Sequence, residues 1–255
     1  MEREDGGVAR QNEGVAVGRN AVLEALKSGA QVEKIYIARG ERQGSVVRLL
    51  AMAREQKIPV SEADRVKLNH LAGSEAHQGV VAVLRPVEYA TIEQILDIAR
   101  QRGEPPFVIL CDRLEDPHNL GAILRTAEVA GAHGVIITKH QSVGLTPAVT
   151  KASAGAVFHL AVARETNLVR AMEQLKQAGV WLYGTDMAGA DSLFETAFEG
   201  GVGLVVGSEG EGMSRQVREH CDFLVRIPMR GRVGSLNASV AAGIAMFEVL
   251  RRRGL

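Results

Sequence analysis

The stretch that decides the fold is 227–244, with the sequence IPMRGRVGSLNASVAAGI. An apolar strand pattern at 223–227 stops at a proline, and a loop with two glycines and two arginines follows. Ser235, Leu236 and Asn237 then open a helical pattern rich in small residues. A serine or asparagine at a helix start accepts hydrogen bonds from free backbone N–H groups, and the remaining donors can hold an anion or a polar ligand. This stretch predicts a strand–loop–helix unit of an α/β domain.

Length and composition set the limits for the rest of the chain. Its 255 residues suit one large domain or two modest ones. Hydrophobic residues make up 46% of the chain and aromatic residues only 4%, so we expect an aliphatic core. The formal net charge is zero, so a binding site for RNA has to be a local patch rather than a property of the whole chain.

The termini and the cysteines exclude several classes of protein. Residues 1–14 are polar and charged, and we predict a flexible tail there rather than a signal peptide. No apolar run approaches the length needed to cross a membrane, so we expect a cytoplasmic protein without membrane contact. Cys111 and Cys221 belong to no CxxC pair, which argues against zinc, and we expect no metal.

The first part of the chain alternates helical and strand patterns. Residues 18–29 have helical spacing and a glycine stop, whereas 32–38 and 79–85 have strand patterns. We therefore predict a small α/β domain over 15–85. The more polar segment 86–104 follows, and it is either a linker or the first helix of the next domain.

The second part of the chain has longer apolar runs. Residues 107–111 form a continuous apolar run, which is typical of a strand buried on both faces. Further strand patterns, separated mostly by helical patterns, lie at 134–138, 159–163, 180–185, 202–207 and 223–227. Strands that alternate with helices predict a mostly parallel sheet with helices on both faces. We assign 105–255 to this second, larger domain.

A polar stretch, DRLEDPHNLGAILRTA, directly follows the first buried strand at 112–127. This position puts it at the carboxyl end of the sheet, where open α/β sheets bind ligands. Asn119 is the predicted N-cap of the helix in this stretch, and Arg125 lies nearly two turns further on. Arg125 is either an outward-facing arginine or a group directed at a phosphate or a reacting oxygen.

A glycine-rich stretch, LVVGSEGEGM, follows another buried strand at 204–213. Glycines here allow positive φ angles and a close approach of the backbone to a ligand. Their order is G-x-x-G-x-G, which differs from the dinucleotide-binding G-x-G-x-x-G, and glycine spacing alone is a weak signal. Glu209 would repel a diphosphate, and it suits a cationic or amine-bearing ligand.

Taken together, the three stretches resemble the three motifs of the SpoU (TrmH-type) ribose 2′-O-methyltransferases of the SPOUT superfamily. The matching patterns are N-x-G-x-x-x-R-T-A from Asn119, V-G-S-E-G-x-G-M from Val206 and I-P-M-x-G-x-x-x-S-L-N-x-S-x-A from Ile227. This resemblance covers 107–253 without an obvious gap.

The N-terminal domain adds a second, less specific resemblance. Residues 18–26 and the tripeptide His77-Gln78-Gly79 are similar to the L30e/L7Ae-like substrate-binding domain of the bacterial 23S rRNA guanosine 2′-O-methyltransferases. The two resemblances together imply an α/β fold whose C-terminal domain contains a mostly parallel sheet and a deep trefoil knot. They also imply a homodimer with the site near the subunit boundary.

S-adenosylmethionine is the cofactor that the resemblance implies. By motif, its expected contacts are Gly207, Ile227, Met229 and Leu236. The implied reaction is an in-line displacement, in which the ribose 2′-hydroxyl attacks the methyl carbon of the sulfonium.

The resemblance also implies roles for five polar residues. In this family the arginine of the first motif, here Arg125, is linked to activation of the hydroxyl. Guanidinium has a pKa above about 12 and is a poor base, so we expect Arg125 to position the hydroxyl and stabilise the developing alkoxide. We expect Asn119 and Glu209 to orient Arg125, and Ser235 and Asn237 to hold the target nucleotide. Helix capping is the alternative role for Asn119 and Ser235.

The predicted function is S-adenosylmethionine-dependent 2′-O-methylation of RNA, with guanosine in 23S rRNA as the target. A tRNA 2′-O-methyltransferase is one alternative, which the added N-terminal domain and the absence of a basic C-terminal extension disfavour. A binding-only RNA protein with the same fold is another, and the intact Arg125, Glu209, Ser235 and Asn237 argue against it. A nucleotide-dependent oxidoreductase is disfavoured because no G-x-G-x-x-G follows the first strand of either domain.

Overall fold

A computed structural model describes residues 14–27, 30–41, 43–85, 88–232 and 234–254. The predicted tail, 1–14, therefore lies outside the described residues except for Gly14. The chain divides into two compact units, one within Met1–Val87 and Leu145–Phe158, the other within Glu88–Gly144 and His159–Leu255. In the described part of the chain, no helix is long and apolar enough to cross a membrane.

The described strands and helices alternate along most of the chain. The strands are β1 (Val15–Val17), β2 (Val32–Ala38), β3 (Val60–Ala63), β4 (Val80–Leu84), β5 (Phe107–Cys111), β6 (Gly134–Thr138), β7 (Ala161–Glu165), β8 (Val180–Thr185), β9 (Asp191–Ser192), β10 (Gly201–Val206) and β11 (Phe223–Arg226). The helices are α1 (Arg19–Lys27), α2 (Ser45–Glu55), α3 (Arg65–Ala72), α4 (Ile92–Arg102), α5 (Pro117–Val129), α6 (Pro147–Ala152), α7 (Leu168–Gln177), α8 (Arg215–Glu219) and α9 (Ala238–Arg252).

The first unit contains a four-stranded sheet in the order β1-β4-β2-β3. Strands β2 and β3 are parallel, and the other pairs are antiparallel. The core is aliphatic, as the composition predicts, and Leu26, Ile35 and Leu49 are almost completely buried in it. Helix α6 also belongs to this unit, although the sequence placed it in the larger domain, and the adjacent Phe158 packs against the core of the first unit.

The second unit contains a seven-stranded sheet in the order β7-β6-β5-β10-β8-β11-β9. Every pair in it is parallel, so the predicted mostly parallel sheet is confirmed. The central strands β5 and β10 are buried along their whole length. Two details differ from the prediction: β7 begins at Ala161 rather than at 159, and the two-residue edge strand β9 lacks a strand-like sequence pattern.

Helix α4 makes most of the segment 86–104 part of the second unit rather than a linker. Thr91 and Gln94 form a capping box at its start. Its apolar face, Ile92, Ile95 and Leu96, packs into the core formed with strands of the large sheet. An amphipathic helix of this kind owes most of its stability to such packing, because its polar face alone gives little.

The direction of strand addition reverses at the centre of the large sheet. Strands β5, β6 and β7 follow one another outward on one side, whereas β10 inserts between β5 and β8 on the other. In open parallel sheets the crevice at such a reversal, beyond the carboxyl ends of the strands, is the usual place for a ligand. The loops that follow β5 and β10 are the first two motif stretches.

Candidate active site

The three motif loops meet at one edge of the large sheet. They follow β5, β10 and β11, and because these strands are parallel, their carboxyl ends lie at the same edge. The buried carboxylate of Asp112, directly after β5, accepts a hydrogen bond from the backbone N–H of Ser214 at 2.6 Å. This bond joins the first motif to the segment that leaves the second motif.

The glycine-rich loop after β10 folds back on itself. Ser208 and Gly212 exchange two backbone hydrogen bonds of 3.1 and 3.0 Å. A Cβ atom at Gly207 would lie 2.1 Å from the carbonyl carbon of Gly212, so only glycine fits at this position. Gly210 and Gly212 have φ angles of +83° and +68°, which glycine adopts without strain. The glycines of this motif therefore close a tight loop.

This loop and the third motif form the wall of a cavity of about 360 Å³. All four residues predicted to contact the cofactor line it: Gly207, Ile227, Met229 and Leu236. Its volume lies within the range typical of small-molecule sites. Met229 and Leu236 are 41% and 38% exposed, so their side chains present apolar surface that a ligand in the cavity can cover.

The backbone of the third motif is also available to a ligand. Among the described residues, no backbone group of 227–232 or 234–236 forms a hydrogen bond to the protein. Backbone N–H and C=O groups need partners when they are taken out of water. A polar ligand in the cavity can therefore be held by backbone groups here.

A cluster of three polar side chains links all three motifs. The Asn237 Nδ2 atom donates a hydrogen bond to Asn119 Oδ1 at 2.8 Å and another to Glu209 Oε1. The Asn237 Oδ1 atom accepts hydrogen bonds from the backbone N–H groups of Ser239 and Val240, at 3.0 and 3.2 Å. Asn237 is therefore both the N-cap of α9 and the link between the other two motifs.

Asn119 does not cap its helix, so the prediction of an N-cap at this position was wrong. The cap of α5 is Asp116, whose carboxylate accepts a hydrogen bond from the backbone N–H of His118 at 2.9 Å. Pro117 occupies the first helical position, which favours a cap directly before it. Asn119 lies one turn into the helix and is only 5% exposed, and this position leaves its side chain free to meet Asn237.

A second cavity of about 420 Å³ adjoins the first. The two cavities share Ser208, Glu209 and Glu211 of the glycine-rich loop, which forms the wall between them. The remaining lining residues of the second cavity are Arg113, Leu114, Glu115, Asp116, Asn119 and Gln141. Of these lining residues, the sequence predicted only Asn119 and Glu209 as site residues. Gln141 lies outside all three motifs, so no motif marks it.

Ser235 and Arg125 differ in their relation to this site. Ser235 lines the first cavity. Arg125 is exposed on α5, lines neither cavity, and has no hydrogen bond or ion pair to any residue that the structure describes. It follows Asn119 by six positions, so the two side chains leave α5 about 120° apart. The structure brings the other predicted residues together and leaves Arg125 on the outer face of α5.

Comparison with known protein families identifies both parts of the chain. The model of the SpoU rRNA Methylase family matches residues 106–247. The model named RNA 2′-O ribose methyltransferase substrate binding matches residues 15–90. The first match covers more than half of the chain, including all three motifs.

Individual relatives agree with this result along nearly the whole chain. A Bacillus subtilis protein assigned to the TrmH family of tRNA/rRNA methyltransferases, YacO, is 44% identical over 243 residues, which cover 95% of this chain and 97% of that protein. A Staphylococcus haemolyticus protein assigned to the same family is 46% identical over 239 residues, which cover 94% of this chain and 96% of that protein.

Solved structures show the same fold. The SpoU methyltransferase AviRb from Streptomyces viridochromogenes, in complex with AdoMet, has a TM-score of 0.74 and 27% identity, and the match covers 97% of this chain and 94% of that one. An AdoMet-bound rRNA methyltransferase from Sinorhizobium meliloti has a TM-score of 0.69 and 27% identity, covering 95% and 88%. The family models, the relatives and these structures lead to one conclusion: the chain belongs to the SpoU rRNA methylase family.

Proposed function

We propose that this protein transfers a methyl group from S-adenosylmethionine to a ribose 2′-hydroxyl of RNA, with guanosine in 23S rRNA as its target. The observation that carries the proposal is the contact of Asn237 with both Asn119 and Glu209. This cluster lies at the wall between two cavities, so a donor in one and an acceptor in the other would meet beside it.

The first cavity suits S-adenosylmethionine in shape and in charge. The apolar side chains of Ile227, Met229 and Leu236 suit its adenosine and methylene groups, and the free backbone groups of the third motif suit its polar edges. Carboxylates of Glu209 and Glu211 line the same cavity, and they favour a ligand that carries positive charge. When bound there, the cofactor supplies an activated methyl group.

The protein's own contribution is alignment of the acceptor hydroxyl. Asn237 is held by its bonds to the start of α9, to Asn119 and to Glu209, so its position is fixed before RNA binds. We assign Ser235 and Asn237 to the target nucleotide. Asn119 and Glu209 contact Asn237 rather than Arg125, which they were expected to orient, so we assign them to the support of Asn237. Holding a nucleophile and its target in line can lower the barrier by about 7–11 kcal/mol.

In this proposal Arg125 reaches an active site only if the protein forms a homodimer. Helices α5 and α9 pack closely here. A Cβ atom placed on Gly243 of α9 would lie 3.6 Å from the Cγ2 atom of Thr126 of α5. Around this contact, Val129, Val240 and Phe247 are exposed by 63%, 50% and 47%. Together they form an apolar face on α5 and α9 of the kind that a second copy covers.

Arg125 precedes Val129 by four positions, and the two side chains therefore lie on the same side of α5. In the proposed dimer the guanidinium is thus at the subunit boundary. We assign it to the active site of the partner subunit, where it positions the 2′-hydroxyl and stabilises the developing alkoxide.

The N-terminal unit supports RNA as the substrate. Residues 15–90 match the substrate-binding model, and we propose that 15–85 forms the RNA-binding part of the first unit. We propose the second unit, which includes α4 and lacks α6, as the methyltransferase. The named relatives are assigned to both tRNA and rRNA, so tRNA is the second candidate substrate. The deep trefoil knot and the cytoplasmic location stay predictions.

The decisive experiment supplies labelled S-adenosylmethionine with unmodified 23S rRNA, 16S rRNA or bulk tRNA in separate reactions. We expect the label in 23S rRNA, on a ribose. The labelled position is mapped by the resistance of the adjacent phosphodiester to alkali. Label in tRNA alone would replace the rRNA assignment. Label on a base, or no transfer to any RNA, would contradict ribose methylation.

A further inference from the structure

The second cavity has no role yet in the proposed reaction. It adjoins the cofactor cavity through the glycine-rich loop, and Asn119 and Glu209 of the polar cluster line it. A ribose held at that cluster has the cofactor on one side, so its base extends to the other. The chemistry of the second cavity therefore bears on which base is accepted.

Four carboxylates line this cavity, and three of them already bond to other groups of the protein. Asp116 caps α5, Glu209 accepts a hydrogen bond from Asn237, and Glu211 pairs with Arg113 at 3.0 Å. Glu115 is exposed and has no hydrogen bond or ion pair to any other described residue. It is thus the carboxylate left for a ligand, and it accepts hydrogen bonds without donating any.

One donor group of the cavity also has no partner in the described part of the chain. The Gln141 side chain is exposed and has no partner among the residues covered by the structure, and its backbone has a φ angle of +56°. Arg113, by contrast, is already paired: its guanidinium lies 3.0 Å from the carboxylate of Glu211 and 3.9 Å from that of Asp112. The Gln141 amide is thus a donor of this cavity that is left for a ligand.

We propose that the second cavity binds the base of the target nucleotide and selects guanine. Glu115 accepts hydrogen bonds from the N1–H and the N2 amino group, and the Gln141 amide donates one to O6. The inference rests on the proposed function, because it requires a ribose at the polar cluster.

The donor pattern of the bases favours guanine over the others. Guanine carries two adjacent donors, N1–H and the N2 amino group, on its Watson–Crick edge, which a single carboxylate accepts in a two-point contact. Adenine, cytosine and uracil each place an acceptor next to their only donor on that edge. Unstacked bases in RNA are generally read through these edges, and a good two-point contact gives about 5- to 150-fold discrimination.

Binding of mononucleotides tests this without turnover. Affinities of GMP, IMP and AMP are measured by calorimetry or ligand-observed NMR on the full chain with S-adenosylhomocysteine. IMP keeps N1–H and O6 and lacks the N2 amino group. We expect GMP to bind about 10-fold more tightly than IMP or AMP. GMP that binds no more tightly than AMP would overturn the proposal.

The variant Glu115→Gln tests whether Glu115 is the residue that selects guanine. This change replaces one of the two accepting carboxylate oxygens with a donating amide nitrogen, so the two-point contact with N1–H and the N2 amino group is lost. We therefore expect the preference for GMP over AMP to disappear. Glu195→Gln is the matched control, because Glu195 is an exposed glutamate outside this cavity and without an ion pair to a described residue. A preference that survives in Glu115→Gln would refute the role of Glu115.

Product analysis separates guanine selection from the proposed methylation of a ribose. RNA methylated by the wild-type protein is digested to nucleosides, and we expect 2′-O-methylguanosine as the product. A different 2′-O-methyl nucleoside would overturn guanine selection and leave ribose methylation intact. Absence of any 2′-O-methyl nucleoside would refute the proposed function, whereas the mononucleotide affinities would still report on the cavity.

Discussion

The Asn237 Nδ2 atom donates a hydrogen bond to Asn119 Oδ1 over 2.8 Å and so joins two residues that are 118 positions apart. One side chain thereby performs two tasks. Its oxygen caps α9, and its nitrogen connects the third motif to the first and, through Glu209, to the second. The geometry of all three motif loops consequently depends on this asparagine.

Substitution of Asn237 separates capping from positioning. Serine caps helices about as well as asparagine, whereas alanine costs about 1 kcal/mol at this position. Both variants lose the bond to the buried Asn119 and should therefore be less stable than the wild type. We expect Asn237→Ser to be the more stable of the two by about 1 kcal/mol, because its hydroxyl still caps α9. Neither residue has an amide nitrogen to reach Asn119 and Glu209, so both should lower kcat/KM by about 100-fold.

Urea unfolding and methyl transfer to RNA, measured on the same preparations, check this expectation. Asn119→Ala serves as a comparison, because it removes the bond to Asn237 and leaves the cap intact. Near wild-type activity in Asn237→Ser would mean that Asn237 acts only as a cap and would remove it from the proposed site.

The sequence predicted which residues come together in the site better than it predicted the directions of their side chains. Gly207, Ile227 and Leu236 come together because each follows a parallel strand, and the carboxyl ends of parallel strands meet at one edge. Strand patterns alone contain that information. Cap preference, by contrast, is similar for Asn119 and Asp116, and Pro117 was the signal that favoured Asp116.

Features that arise from tertiary packing could not be predicted from the sequence. Gln141 enters the second cavity from the loop after β6, and no motif marks it. Strand β9 has two residues and forms only by pairing with β11. The outward direction of Arg125 follows from which face of α5 packs on the sheet and on α9, which a motif match does not specify.

Gly207→Ala should disrupt the cofactor cavity. The new methyl group would lie 2.1 Å from the carbonyl carbon of Gly212 and 2.2 Å from the nitrogen of Met213, so the loop must open to admit it. We expect a loss of about 1–3 kcal/mol in the free energy of unfolding. Because the cavity wall moves, calorimetry should also detect no binding of S-adenosylmethionine.

Gly234→Ala is the control for the effect of an added methyl group on stability. No described atom lies within 4 Å of a Cβ at Gly234, and its φ angle is not in the left-handed region. Its free energy of unfolding should stay within about 0.5 kcal/mol of the wild type. Unchanged stability and cofactor affinity in Gly207→Ala would contradict the close packing of the glycine-rich loop.

Histidine 133 should make stability fall in mildly acidic solution. The backbone N–H of Phe107 donates to its Nδ1 atom at 2.9 Å, so this nitrogen holds no proton. Burial lowers the pKa of His133, and the charges of Arg102 and Arg253 act in the same direction, against the hydrogen bond with Glu104. The folded chain thus binds fewer protons than the unfolded chain below the usual histidine pKa of about 6.5.

The stabilising contribution of neutral His133 is therefore fully present above about pH 6.5 and is lost as the pH falls below that value. Urea unfolding of the wild type and of His133→Gln across this range measures it. Glutamine can accept the hydrogen bond from Phe107 and does not titrate, so the difference in stability between the two proteins should shrink on acidification. A difference independent of pH would contradict the lowered pKa.

Mixed dimers test the assignment of Arg125 to the partner's site. Arg125→Ala alone should lower kcat by about 10²- to 10³-fold, the usual cost of losing a group that stabilises a developing oxyanion. The fold should be unaffected, because Arg125 is exposed and makes no hydrogen bond or ion pair with the part of the chain that the structure describes.

If Arg125 acts across the interface, Arg125→Ala mixed with Asn237→Ser should regain activity. In such a heterodimer, one site combines the intact Asn237 of the first chain with the intact Arg125 of the second, and the other site has both defects. Random exchange of subunits makes half of the dimers mixed, so about a quarter of wild-type activity should return. A double variant mixed with wild type controls for exchange. If Arg125 serves its own chain, every site in the mixture keeps one defect, and no activity returns.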